Sequence, residues 1–213
     1  MRYRDREHAG KELAKTLRHI RERDVLVLGI PRGGVPVAAQ VARALDAELD
    51  VIVAKKIGAP WQEELAVAAV TADGTVVLHR EAPDALQLGA EWLREAIERK
   101  RREAGEREAR LRIGRPPLRV KGRTVVLVDD GLATGSTALA CLLALRAGNP
   151  KRLILAVPVG AASTCELLER EVDELVCPER PEPFHAVGAH YDAFDAVSDA
   201  QVEELLAMSA RRA

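Results

Sequence analysis

Short apolar runs alternate with segments of helical period along this chain. Asp24–Gly29, Asp50–Lys55, Val125–Val128 and Arg152–Pro158 are each dense in Val, Leu and Ile, as strands buried on both faces are. Between them, Ala9–Arg21 carries Leu13, Leu17 and Ile20 at helical spacing. Val35–Leu45 and Ala138–Arg146 read as further helices, the latter stopped by Gly148-Asn149-Pro150. Leu65–Thr71 and Thr75–His79 flank Ala72-Asp73-Gly74, the pattern of a hairpin. A long charged helix is predicted over Asp84–Arg112, with only Leu86, Leu93, Ile97 and Leu111 as an apolar stripe. Its run Arg99-Lys100-Arg101-Arg102 lies among acidic residues and reads as a solvated face with i,i+4 ion pairs. Gly114-Arg115-Pro116-Pro117 breaks the chain after it. Glu174–Cys177 reads as a short last strand. Ser163-x-x-Glu166 and Ser198-x-x-Gln201 read as capping boxes for two helices, the second over Val202–Arg211. Strands that alternate with helices predict an α/β protein with a mostly parallel sheet.

Composition narrows the function classes. A chain of 213 residues is large enough for one full α/β core. A net charge of −1 gives no electrostatic reason to expect nucleic acid. No apolar run is long enough to span a membrane, and the start Met-Arg-Tyr-Arg-Asp has no hydrophobic targeting core. Cys141, Cys165 and Cys177 have no close metal-ligand spacing, and an odd count without a signal peptide points to a reducing cytoplasm.

The chemistry gathers where strands end. Asp129 and Asp130 follow the strand Val125–Val128, and then comes a loop of small residues, Gly131-Leu-Ala-Thr-Gly-Ser-Thr137. A helix N-terminus carries unpaired N–H groups and partial positive charge, so it favours a phosphate. Ala133, Gly135 and Ser136 are small enough to leave the backbone open to an oxygen, and Thr134, Ser136 and Thr137 add hydroxyl donors. Carboxylates would repel that phosphate, so Asp129 and Asp130 suit a sugar diol, a hydrated magnesium ion, or both. A phosphate beside a diol describes a ribose 5-phosphate. A second loop, Gly29-Ile-Pro-Arg-Gly-Gly-Val-Pro36, follows the first strand. Arg32 offers a donor fork suited to a diphosphate. Gly33 and Gly34 let the backbone come close to a ligand. Val35 stands where a Walker loop needs lysine. Lys55 and Lys56 end the second strand and, as strand neighbours, face opposite ways.

The run Arg123–Thr137 resembles the PRPP-binding motif of type I phosphoribosyltransferases, and Arg32–Gly34 is similar to that family's pyrophosphate loop. The resemblance implies an α/β fold: a mostly parallel central sheet flanked by helices, with a small hood and an inserted β-hairpin plus long helix. It implies one domain over residues 1–213, its core at about 9–180, the insertion at about 58–115 and a C-terminal hood and helix segment at about 178–213. Asp129 and Asp130 would then approach the ribose hydroxyls as the catalytic pair and hold Mg2+ indirectly, through water and ribose. Ala133, Thr134, Gly135, Ser136 and Thr137 would cradle the 5′-phosphate, and Arg32, Gly33, Gly34, Lys55 and Lys56 would face pyrophosphate. Gly58–His79 lies where the family carries a mobile loop, with Glu63 and Glu64 on it. Pro178–Asp195, which holds Phe184, His185, His190, Tyr191 and Phe194, would form the hood over the base. The reaction implied is transfer of ribose 5-phosphate from PRPP to a nitrogenous base with release of pyrophosphate. That is nucleotide metabolism in the cytoplasm, with no nucleic acid or membrane as partner and a homo-oligomer left open. Ala133 replaces the aspartate that 6-oxopurine transferases carry, and Asp129–Gly135 looks more like the adenine transferases. Two rivals stand beside this reading: a non-catalytic PRPP- or nucleotide-binding regulator on the same fold, and a hydrolase that uses the acidic pair.

Overall fold

A computed structural model describes residues 2–78 and 89–210. Its central strands are β1 (Val25–Gly29), β2 (Glu48–Val51), β6 (Thr124–Val128), β7 (Arg152–Ala156) and β8 (Glu174–Val176). They form a five-stranded, wholly parallel sheet in the order β2-β1-β6-β7-β8. Every residue of β1 and β6 is buried, which is why their sequences are continuous apolar runs and not alternating ones. One face of the sheet packs on α1 (Arg6–Thr16), α2 (Gly34–Leu45) and the terminal helix α6 (Asp199–Ala210). The other face packs on α4 (Ser136–Ala147) and α5 (Ala162–Leu168).

A second sheet is built from β3 (Ala54–Ala59), β4 (Gln62–Thr71) and β5 (Val76–Leu78). It is antiparallel, in the order β3-β4-β5, so the predicted hairpin exists and gains a third strand. The long helix α3 (Ala90–Leu111) packs on it, burying Ala96 against Ile57, Val67 and Val70. Lys100 pairs with Glu103 and Arg101 with Glu98 along α3, each three residues apart where a spacing of four was expected. The residues fully buried along α3 are Ala96, Ala104 and Leu111, while Leu93 and Ile97 are half-buried. Asp84 and Leu86 of the predicted helix lie outside the described residues.

Three expectations are corrected. The predicted strand Asp50–Lys55 is two strands in two sheets. The central ladder ends when Ile52 N–H donates to the Gly29 carbonyl, and Val53 N–H turns instead to Glu108 Oε2 of α3 at 3.2 Å. Helix α1 begins at Arg6, earlier than its apolar spacing indicates, because Asp5 caps it by accepting the His8 N–H at 2.7 Å. Helix α5 begins at Ala162, so Ser163 lies inside the helix and caps nothing. Ser198 does form a capping box: its N–H donates to Gln201 Oε1 at 2.8 Å and its hydroxyl accepts the Gln201 N–H.

Candidate active site at the carboxyl ends of β1 and β6

Strands β1 and β6 are neighbours, so the loops that leave them emerge side by side. Ile30 N–H donates to the Val128 carbonyl at 3.0 Å and carries the pairing past the strand end. The Pro31–Arg32 peptide is cis, and Arg32 is exposed. A Cβ on Gly34 would lie 2.7 Å from the Val128 carbonyl oxygen and 2.9 Å from Asp129 Cα. A Cβ on Gly33 would overlap Asp130 Oδ2 and lie 2.7 Å from its Cγ. The first loop therefore rests directly on the acidic pair, and only glycine permits that approach.

Asp129 Oδ1 accepts the Asp130 N–H at 2.8 Å. Asp130 Oδ2 accepts from Arg6 Nε at 2.7 Å. Burial pushes the Asp129 carboxyl well above the ordinary carboxylate range, and the neighbouring Asp130 charge adds to it. Asp130 is raised by burial too, against the opposing pull of Arg6. Arg6 is itself fixed: it donates to the Asp195 carbonyl at 2.8 Å, and its guanidinium sits 3.8 Å over the Phe194 ring. Tyr191 donates its hydroxyl to the Asp130 carbonyl at 2.6 Å and packs against Tyr3. Burial raises the Tyr191 phenol, while Tyr3 is pushed up to about 12, chiefly by burial. The C-terminal rings thus serve as packing around the acidic pair, with Phe184 and Val187 against Tyr3 and Tyr191. Arg6 and Tyr191 carry no sequence signal for this position. Arg6 lies 124 residues from its partner.

The second loop is braced from behind. Leu132 N–H donates to the Val159 carbonyl, and the Leu132 carbonyl accepts from Ala161 N–H, both at 2.9 Å. Thr164 of α5 donates its hydroxyl to the Ala133 carbonyl at 2.6 Å. Gly135 has φ +71 and precedes α4, which begins with no side-chain cap. Ala133 and Thr134 are exposed, Thr137 is half-buried and Ser136 is buried, with its Oγ 3.4 Å from Thr134 Oγ1. An uncapped helix start with open small residues before it is suited to an anion. The side-chain direction at Gly135 points toward Thr164 Cγ2 at 2.7 Å and Leu168 Cδ1 at 3.1 Å. Glycine is required there by its torsion and by the α5 wall.

Lys55 and Lys56 do not end a central strand. They lie in β3, opposite Val70 and Ala69. The Lys55 ammonium is lowered first by burial, then by Arg107, with Lys100 and Arg32 acting the same way and Glu103 against. Lys55 lies within electrostatic reach of Arg32. Arg107 joins that positive group, a residue the charge pattern of α3 does not single out. The side chains of Glu63 and Glu64 lie outside the described residues. The segment Gly58–His79, expected to be mobile, is built of β3, β4 and β5 as far as Leu78. Among the described residues no set of three or more His, Cys, Asp or Glu could hold a metal, and no helix is long and apolar enough to cross a membrane.

The crystal structure of TT1426 from Thermus thermophilus is similar to this chain, with TM-score 0.81, 42% identity, and coverage of 97% of this chain and 98% of that one. AQ2163 of Aquifex aeolicus, at TM-score 0.50 and 16% identity over 94% of this chain and 84% of its own, shares the fold alone. Rv0571c of Mycobacterium tuberculosis H37Rv, provisionally named a phosphoribosyl transferase, is 42% identical over 203 residues, which is 95% of this chain and 46% of that protein. Its counterpart in strain CDC 1551 matches to the same extent. The chain spans about half the length of these curated relatives. The family model for the phosphoribosyl transferase domain matches residues 5–193, which takes in both loops and the acidic pair. The chain belongs to the phosphoribosyl transferase domain family.

Proposed function

We propose that the chain transfers ribose 5-phosphate from PRPP to a nitrogenous base and releases pyrophosphate. One observation carries this reading: the two loops meet at the acidic pair, with Gly33 and Gly34 packed against Asp130 and Asp129. A diphosphate and a 5′-phosphate flank the ribose in PRPP. A site for it needs two anion loops with carboxylates between them, and this chain has that order at the ends of β1 and β6.

In this reading Thr134–Thr137 and the start of α4 bind the 5′-phosphate, while Arg32 with Gly33 and Gly34 binds the diphosphate, with Lys55 in support. Asp129 and Asp130 orient the ribose hydroxyls. Their negative charge stabilises the positive charge that develops on the ribose as the bond to diphosphate breaks. Two adjacent carboxylates suit Mg2+, which keeps waters and takes much of its coordination from substrate phosphates. When bound, magnesium would neutralise charge on the departing diphosphate. Ala133 presents a methyl and no general base, so adenine, or a base outside the usual panel, is the proposed acceptor over hypoxanthine and guanine. The test is pyrophosphate release from PRPP and magnesium with each base in turn. A clear preference for hypoxanthine or guanine would overturn the reading of Ala133, and no release with any base would overturn the transferase.

A second reading rests on Arg6. Asp130 already has a cationic partner at 2.7 Å, as a non-catalytic PRPP-binding regulator on this fold could have. Binding of PRPP without turnover, in the native chain and in Arg6→Ala alike, would favour that reading.

A further inference from the structure

Behind the phosphate-binding loop, two thiols share one small space. A Cβ built on Gly160 would lie 2.8 Å from Cys165 Sγ and 3.4 Å from Cys177 Sγ, so the sulfurs flank a single point that only glycine leaves open. Cys177 donates its thiol to the Glu179 carbonyl at 3.2 Å. Cys165 is fully buried, whereas Cys177 is half-buried, so solvent reaches the pair at Cys177. Arg180, paired with Glu169 at 2.8 Å, adds positive charge beside both sulfurs. The third cysteine, Cys141, is buried in α4 within the apolar core.

We propose that Cys165 and Cys177 are a redox-modification site, a dithiol that peroxide converts to a reversible disulfide and that thereby resets the wall behind the phosphate loop. The role assigned to that loop rests on the function proposed above. The dithiol does not.

The neighbouring Cys177 side chain holds the Cys165 thiol below its ordinary range, and Arg180 assists. Cys177 is raised in turn by the Cys165 side chain and by burial. The pair therefore gives up one proton readily and keeps the second, the arrangement a reactive thiol needs. The thiolate attacks one oxygen of hydrogen peroxide. The O–O bond breaks, a sulfenic acid forms, and the released hydroxide takes up the proton lost from the thiol to become water. The second sulfur displaces the sulfenic oxygen, which leaves as a second water with the remaining thiol proton. One S–S bond has formed, two electrons have left the dithiol, and one peroxide has been reduced to two waters. A reducing thiol reverses the change by exchange.

The coupling is through α5. Thr164, next to Cys165, holds the Ala133 carbonyl at 2.6 Å, and Thr164 and Leu168 form the surface that Gly135 faces. Ala161, just before the helix, donates to the Leu132 carbonyl at 2.9 Å. Drawing the two sulfurs to bonding distance must shift α5 against residues 131–137.

The test uses the whole chain. Treated with hydrogen peroxide, it should lose 2 of its 3 thiols and form one intramolecular bridge that joins the Cys165 and Cys177 peptides, leaving Cys141 free. A reducing thiol should restore all of them. Cys165→Ser and Cys177→Ser should each fail to bridge. Three free thiols after treatment, or a bridge that includes Cys141, would overturn the site. Hydrogen exchange at residues 131–137 reads the coupling without any ligand. It should change by at least about tenfold between reduced and oxidised protein and stay constant in Cys177→Ser; equal exchange in both states would overturn the coupling. Failure of PRPP to bind the reduced protein would instead count against the transferase reading and leave the disulfide result standing.

Discussion

Two glycine loops line the mouth of the central sheet, and they need glycine for different reasons. Gly33 has ordinary helical torsions, φ −61 and ψ −34, so its backbone would accept any residue. What it lacks is room, because the Asp130 carboxylate occupies the place of a side chain. Gly135 has the opposite problem: its φ of +71 excludes most residues whatever the space, and its open side faces the α5 wall. The first loop is therefore coupled to the acidic pair by contact. The second is coupled to α5 and only indirectly to the acids. A substitution in one should read out as altered chemistry, and in the other as altered stability.

The largest expected effect separates the acids from the phosphate loop. Asp129→Asn combined with Asp130→Asn should lower kcat/KM by roughly 10²–10³, the scale for losing electrostatic stabilisation of a transition state. Titration calorimetry should find affinity for inorganic phosphate unchanged. Equal losses of both would merge the two regions into one. Next is Arg32→Ala, which should cost about 1.5–3 kcal/mol of pyrophosphate affinity, the range for a charge-assisted contact. Arg32 is exposed, so its melting temperature should stay where it is. Unchanged pyrophosphate affinity would reduce the first loop to a turn.

The glycines make the comparison directly. Gly33→Ala should displace Asp130 and lower turnover more than it lowers stability. Gly135→Ala forces an L side chain into the left-handed region at about 1–2 kcal/mol, a melting-temperature fall of roughly 2–8 °C for a chain of this size. If Gly135→Ala abolished turnover at full stability, the assigned contrast would be reversed.

The smallest effect is a pH dependence. The folded-state carboxyl of Asp129 is raised above its ordinary 3.8, so it binds its proton more tightly in the native protein. Its contribution to stability is complete below 3.8 and is lost as pH rises through the raised value. Asp129→Asn should therefore melt higher than the native chain at neutral pH. The gap should close as the pH falls toward 3.8. A gap that widens toward acid would give the shift the wrong sign.

The central sheet was legible because β1 and β6 are buried on both faces and need no partner to declare themselves. The acidic pair and both loops were legible because their residues are consecutive. The second sheet was harder to read, since the break after Val51 depends on Glu108, whose partner Val53 lies 55 residues away. The continuous apolar run there concealed a change of sheet. The same limit hid Arg6 from Asp130 and Tyr191 from the acidic loop, contacts made only when both ends of the chain return to one strand end. Gly135 was legible as a required glycine, but its reason was not, because α5 supplies the wall it faces.

The central claim is that both loops and the acidic pair form one PRPP site. Thermal melting with magnesium and PRPP tests it most directly. A ligand that binds only the folded state adds about 2.7 kcal/mol at one hundred times its dissociation constant. For a chain of this size that is a rise of roughly 5–11 °C, and the account predicts it for the native chain. Arg32→Ala should show a smaller rise at the same PRPP concentration. A native chain whose melting temperature does not move under saturating PRPP and magnesium would contradict the account.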